Sequence, residues 1–361
     1  MIARQICEEA FRAAVTACNP EARVREAMKR VPPQRAMLGV AVGKAALAMA
    51  RGAGPVVRGI AVAPQLDGRP LPLGWSARDS SHPFVDERSL AAGEAVRDLV
   101  LTAGFDDLVL VLISGGASAL VEVLQGDYTL AEYRARVDAA MRSGVAIGEL
   151  NAVRTSMSAI KGGKLLAYCK APVITLAVSD VVGDDLRVIG SGPTIGRTKG
   201  KTSEVIAPIR SFADAAHAAL AAGGARLAFH NDPLWGDVAN LAPHLAIGMH
   251  WGEPTVRVPD DHGEGGRMQQ LALLLAQRLR GSDRSAFCVG SDGIDGPPPA
   301  NRPAPAGAYV DGTTWDRIAA TGIDPIAALE RRDAGTALAA VGALVITGPT
   351  GINHADLVAI G

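Results

Sequence analysis

Aromatic residues are scarce: Phe, Trp and Tyr make up 4% of the 361 residues. A core built on stacked rings is therefore excluded, and Val, Leu, Ile and Ala must fill it. The four cysteines, Cys7, Cys18, Cys169 and Cys288, lie far apart with no CxxC spacing. That rules out a zinc-finger type site and a disulfide framework, and they read as reduced thiols. Charge of one sign is also lacking: the formal net charge is −1, and no run of Lys or Arg exceeds a pair. Nothing here marks a basic face, so no nucleic-acid partner is expected. No apolar run approaches the ~18 residues of a membrane span. The N-terminus, MIARQICEEAFRAAV, carries acids and reads as an amphipathic first helix, not a signal peptide. A cytoplasmic protein, monomeric or homodimeric, is expected.

What is present is a globular composition, 48% hydrophobic and 20% charged. The length exceeds one ordinary core and predicts two domains. Short apolar runs predict strands at Met37–Val42, Gly59–Ala63, Leu108–Ile113, Val173–Val178, Leu227–His230, Ala286–Gly290 and Ala343–Thr347. Amphipathic stretches such as Asp86–Leu101 and Thr129–Met141 lie between them. The alternation predicts an α/β fold with mainly parallel sheets and helices on both faces. Weak periodicity over 225–255 places a domain boundary near 240, giving domains 1–240 and 241–361. Pro297 to Pro305 holds five prolines and cannot be regular structure.

Most predicted strands end in Gly, Ser, Asp or Lys, and open α/β sheets bind ligands at the carboxyl ends of their strands. Gly43-Lys44-Ala45 follows the first strand. It is not a P-loop, because the glycines are one residue too close and Ala45 stands where Ser or Thr holds metal. Lys44 is then either a solvated surface group or a cation placed to meet an anion beside a helix start. Ser114-Gly115-Gly116-Ala117-Ser118 is a small-residue turn whose backbone N–H groups and hydroxyls can cradle phosphate. It also resembles a hydrolase nucleophile elbow around Ser118, without the last glycine. Asn151, Arg154, Ser158 and Lys161 recur at spacings of three and four. On a helix they would share one face, suited to a phosphorylated or carboxylated ligand. Asp180, Asp184 and Asp185 crowd three carboxylates into six residues, and crowded carboxylates repel unless a cation joins them. Mg²⁺ is the natural partner beside phosphates. Arg267 opens an apolar helical stretch, and Asp292 lies in a second acidic turn. The seven histidines show no metal-binding spacing, and His82 alone is placed to reach a site.

In order along the chain, Val42-Gly43-Lys44-Ala45-Ala46, Ser81-His82-Pro83, Ser114-Gly115-Gly116, Asn151-Ala-Val-Arg154, Lys161-Gly162-Gly163, Ser179-Asp180-Val-Val-Gly183-Asp184-Asp185, Ser191-Gly192-Pro193-Thr194, Gly265-Gly266-Arg267, Asp292-Gly293-Ile-Asp295-Gly296 and Thr347-Gly348-Pro349-Thr350-Gly351 resemble the class II glycerate kinase family. This family, built of DUF4147 and MOFRL segments, is also known under the name hydroxypyruvate reductase. The resemblance implies a Rossmann-like N-terminal domain, a smaller C-terminal MOFRL-like domain and an active site in the cleft between them. It implies ATP, Mg²⁺ and a small hydroxy acid, D-glycerate in the first place, with 2-phosphoglycerate as product. The family's active-site residues fall on Lys44, Asp180 and Arg267. The chain departs from the family by a shortened segment after Thr194, by Met268-Gln269-Gln270 in place of Asn-Gln-Glu, and by the proline-rich loop.

Together these readings predict in-line phosphoryl transfer. Ser114, Gly115, Gly116 and Ser118 would cradle phosphate, with Asn151, Arg154 and Lys161 binding substrate or phosphate. Asp184, Asp185 and Asp292 would hold Mg²⁺. Asp180 would orient or deprotonate the attacking hydroxyl, while Lys44 and Arg267 meet carboxylate or developing charge. The rivals are a kinase for a larger or specialised hydroxy acid, a non-catalytic ligand-binding homologue, a hydrolase using Ser118, and an NAD-dependent reductase. The last is weakened because no GxGxxG follows a strand.

Overall fold

The computed structural model describes residues 1–32, 36–145, 147–196, 201–300 and 302–361. Part of the shortened segment after Thr194 (197–200) and Asn301 of the proline-rich loop lie outside the described residues. The chain forms two compact units, Pro20–Ile209 and Met1–Asn19 with Arg210–Gly361.

In the first of these units, β1 (Met37–Val42), β2 (Arg58–Ala63), β3 (Trp75–Asp79), β4 (Leu108–Ile113), β5 (Val173–Val178) and β6 (Lys201–Ala207) form one sheet. The order is β3-β2-β1-β4-β5-β6, with every neighbour parallel. This is the Rossmann order, and its switch point lies between β1 and β4. The sheet is covered on both faces, which is why its central strands read as unbroken apolar runs. Val40, Val42, Val109, Val111 and Ile113 face one core. Ala41, Leu110, Leu112 and Leu176 face the other. That division follows the two-residue period of a strand. Asp86 caps the helix Glu87–Leu101, accepting from the N–H groups of Arg88 (2.9 Å) and Ser89 (3.2 Å). Thr129 caps Leu130–Arg142 in a reciprocal capping box with Glu132.

The other unit holds β7 (Leu234–Asp237), β8 (Gly248–Thr255), β9 (Ser285–Val289), β10 (Gly307–Asp311), β11 (Leu344–Val345) and β12 (Asp356–Ile360), in the order β11-β10-β9-β12-β8-β7. Here the expectation of a mainly parallel sheet is corrected: only β7 and β8 run parallel, and the other pairs are antiparallel. Parallel neighbours need a crossover, usually helical. The proline-rich link between β9 and β10 contains no described helix, so the chain turns straight back. Leu227–His230 is not a strand; it contributes one bridge, Phe229 to Met249.

As compact units the chain divides at Ile209, and its first nineteen residues belong with the stretch that follows. The amphipathic helix Arg4–Ala17 buries Cys7, Ala10, Phe11 and Ala14, one stripe of its surface. Phe11 meets Phe212 edge to face at 5.4 Å, which ties the N-terminal helix to Ser211–Ala222. Among the described residues no helix is long and apolar enough to cross a membrane.

Candidate functional site

The ends of β1, β4 and β5 and the chain beyond β3 come together beside the switch point of the parallel sheet. β1 delivers Gly43-Lys44. The Lys44 N–H donates to the Gly115 carbonyl (2.8 Å), and the Ala45 N–H donates to Ser114 Oγ (3.0 Å). These two bonds sew the turn after β1 to the turn after β4. Gly43 has to be glycine: its φ is +134°, and a Cβ there would lie 2.1 Å from Ser114 Oγ. β5 delivers Asp180, whose carboxylate rests against the Cα of Gly115, so that a Cβ on Gly115 would lie 1.9 Å from Oδ2. The chain beyond β3 brings His82 against Gly116, beside the Lys44 stem. Thus Lys44, Asp180 and His82 gather around one glycine pair.

The electrostatics follow from that packing. Burial pushes the Asp180 carboxyl above its ordinary value, with Lys44 pulling the other way. Burial and the Lys44 charge together lower His82, so its ring is neutral near pH 7. The N–H groups of Gly115 and Gly116 have no protein acceptor among the described residues. They are donors ready for an anion. A carboxylate poised for proton transfer, a fixed cation and free backbone donors are the parts that group transfer to a hydroxyl requires.

The remaining expectations divide. Ser118 Oγ meets Ser191 Oγ (2.7 Å), Ser191 donates to Asn151 Oδ1 (3.1 Å), and Arg154 donates to the same oxygen (3.2 Å). Asn151 and Arg154 therefore join the serine turn in one polar file. Lys161 does not join them, and its expected role in ligand binding is corrected. The helix bearing Asn151 and Arg154 ends at Ser156, so the supposed common face stops short. Lys161 is 1% exposed and paired with Glu122, which is wholly buried and also accepts from Ser158. An ammonium so enclosed is a structural ion pair.

The three-carboxylate metal centre is also corrected. Asp185 spends both oxygens on Arg187, at 3.0 and 2.6 Å. Asp184 accepts from the Ile209 N–H (2.8 Å). Asp292 lies in the other unit, where Oδ1 accepts from Ile294 N–H (3.0 Å) in a local turn. Among the described residues no three His, Cys, Asp or Glu side chains form a metal-holding group.

Arg267 sits as expected at the start of the helix Arg267–Leu279. Its guanidinium grips Asp356 with two nitrogens, the Nη2–Oδ1 contact being 3.1 Å. Burial raises the Asp356 carboxyl to about 7, with Arg267 opposing and Asp295 and Glu253 adding to the rise. Asp295 caps the same helix, accepting from the N–H groups of Met268 (3.0 Å) and Gln269 (2.7 Å). Sequence reasoning missed Asp356 and Glu122. Glu122 is a lone acid inside an apolar run and Asp356 a lone acid at the head of one, and that pattern is the signal that would have found them.

Residues 6–219 match a known family, described as a domain of unknown function, DUF4147. Residues 247–356 fit the MOFRL family. A protein of Agrobacterium vitis provisionally named hydroxypyruvate reductase is 34% identical, over 99% of this chain and 94% of its own length. D-glycerate 2-kinase of Thermotoga maritima is 30% identical, over 98% of this chain and 97% of its own. A crystal structure of glycerate kinase from Thermotoga maritima superposes with a TM-score of 0.88 at 28% identity, covering 99% of this chain and 98% of that one.

Proposed function

This chain belongs to the DUF4147 family, with a MOFRL segment behind it, and on that premise we propose that it transfers the γ-phosphoryl group of ATP to a hydroxyl of D-glycerate. The observation that carries the reading is the meeting of Lys44 and Asp180 across Gly115-Gly116 at the switch point of the sheet. The substrate hydroxyl oxygen attacks the γ-phosphorus. A new O–P bond forms, the bond to the β,γ-bridging oxygen breaks, and ADP departs with that electron pair. The hydroxyl proton passes to Asp180, whose raised basicity suits a general base. Lys44 and the free N–H groups of Gly115 and Gly116 offset the charge on the equatorial phosphoryl oxygens. Mg²⁺ accompanying the nucleotide would supply charge neutralisation at its phosphates.

A second reading has the name of the Agrobacterium relative behind it, reduction of hydroxypyruvate by a nicotinamide cofactor. The turn after β1 opposes it, since Ala45 stands where a dinucleotide fold, counted from Gly43, places its second glycine. Purified protein with ATP, Mg²⁺ and D-glycerate tests the proposal, with Asp180→Asn as control. Product formation that the control loses supports it. NADH oxidation with hydroxypyruvate, and no phosphorylation, overturns it.

A further inference from the structure

The polar file from Ser118 leads into a cavity of about 470 Å³ in the parallel-sheet unit. This cavity adjoins the candidate site: Ser81 and Ser118 line it, and they stand one and two residues from His82 and Gly116. A three-carbon acid fills only a small part of such a volume, which lies in the range that takes drug-sized ligands. Most of its wall is apolar, from Phe84, Val85, Val137 and Met141. Its charged lining is compensated at every point but one. Asp86 pairs with Arg88, and Asp138 with Arg142. Arg134 donates to the Val85 carbonyl and faces Glu87.

Arg154 is the exception. No described ion pair includes it, and its one described hydrogen bond goes to the neutral amide of Asn151. Glu122, whose charge reaches Arg154, is already neutralised by its ion pair with Lys161. A partly buried guanidinium with no ion pair of its own among the described residues favours a carboxylate, which it binds through two parallel bonds.

Resting on the kinase reading, we infer that this cavity is the acid's own pocket: Arg154 holds the carboxylate, and the wall of Val137, Met141 and Phe84 receives an apolar tail beyond the third carbon. The substrate class is then 2,3-dihydroxy acids longer than glycerate, with glycerate the smallest member.

Calorimetric titration of the full chain, without nucleotide, tests this with 2,3-dihydroxy acids of three to six carbons. Each added methylene is expected to tighten binding about fourfold. Arg154→Gln is expected to weaken every member ten- to hundredfold. Met141→Trp, at the exposed rim, is expected to weaken the six-carbon acid at least tenfold more than D-glycerate. Affinity independent of tail length, or unchanged in Arg154→Gln, overturns the inference. Tail-dependent binding without ATP turnover on any acid keeps the pocket and overturns the kinase reading. Turnover confined to D-glycerate, with flat affinities, keeps the kinase and overturns the pocket.

Discussion

Gly115→Ala is the sharpest probe of the site, because it touches Asp180 and almost nothing else. The ideal Cβ would stand 1.9 Å from Asp180 Oδ2 and 2.6 Å from its carboxyl carbon. An ordinary contact is about 3.5 Å, so the carboxylate must retreat by roughly 1.5 Å. Gly115 is not among the positive-φ residues, so alanine fits its backbone without strain. The cost therefore falls on the position of one oxygen. Misplacing a catalytic group by about 1 Å costs on the order of 10²-fold in rate. We expect kcat with D-glycerate to fall about a hundredfold, with little change in the thermal midpoint.

The pH profile adds a second readout. Asp180 must be ionised to accept the proton, so activity rises as pH climbs through its pKa. Burial holds that pKa above the usual range. Displacement toward solvent lowers it, so the acidic limb of the profile should move to lower pH in Gly115→Ala. Gly148→Ala is the control, for its Cβ would meet nothing within 4 Å. Wild-type kcat in Gly115→Ala, with an unmoved acidic limb, would refute the placement of Asp180 as base.

Further outcomes are expected. Lys44→Ala should lower kcat/KM by about 10²–10³, the usual loss for one fixed electrostatic contact, while its urea midpoint stays close to wild type. Lys161→Met should instead act on stability, costing about 3–5 kcal/mol in urea unfolding because it leaves Glu122 buried and unpaired. Adding Glu122→Gln should restore part of that loss. A Lys161→Met variant of full stability whose KM for the acid is raised would return Lys161 to the ligand site.

The division between legible and hidden features has a physical pattern. β1, β4 and β5 coincide with their sequence-predicted bounds, because strands covered on both faces must be apolar at every position. β3 and β6 escaped notice, being edge strands whose side chains are largely exposed and polar. The groups that follow β1, β4 and β5 were readable for the same reason: an abrupt change from Val or Ile to Gly, Lys, Ser or Asp marks a strand's carboxyl end. By itself, then, the sequence determined the alternating α/β pattern of the first unit, and the candidate residues Lys44, Ser114-Gly115-Gly116 and Asp180. Only the tertiary structure decided which charges are free. Lys161 and Arg154 look alike in sequence, two cations seven residues apart on one imagined helix. A chain turn after Ser156 sends Lys161 inward to Glu122 and leaves Arg154 facing a cavity. Spacing along the chain cannot say this, because a buried charge is set by the partner that another segment brings to it.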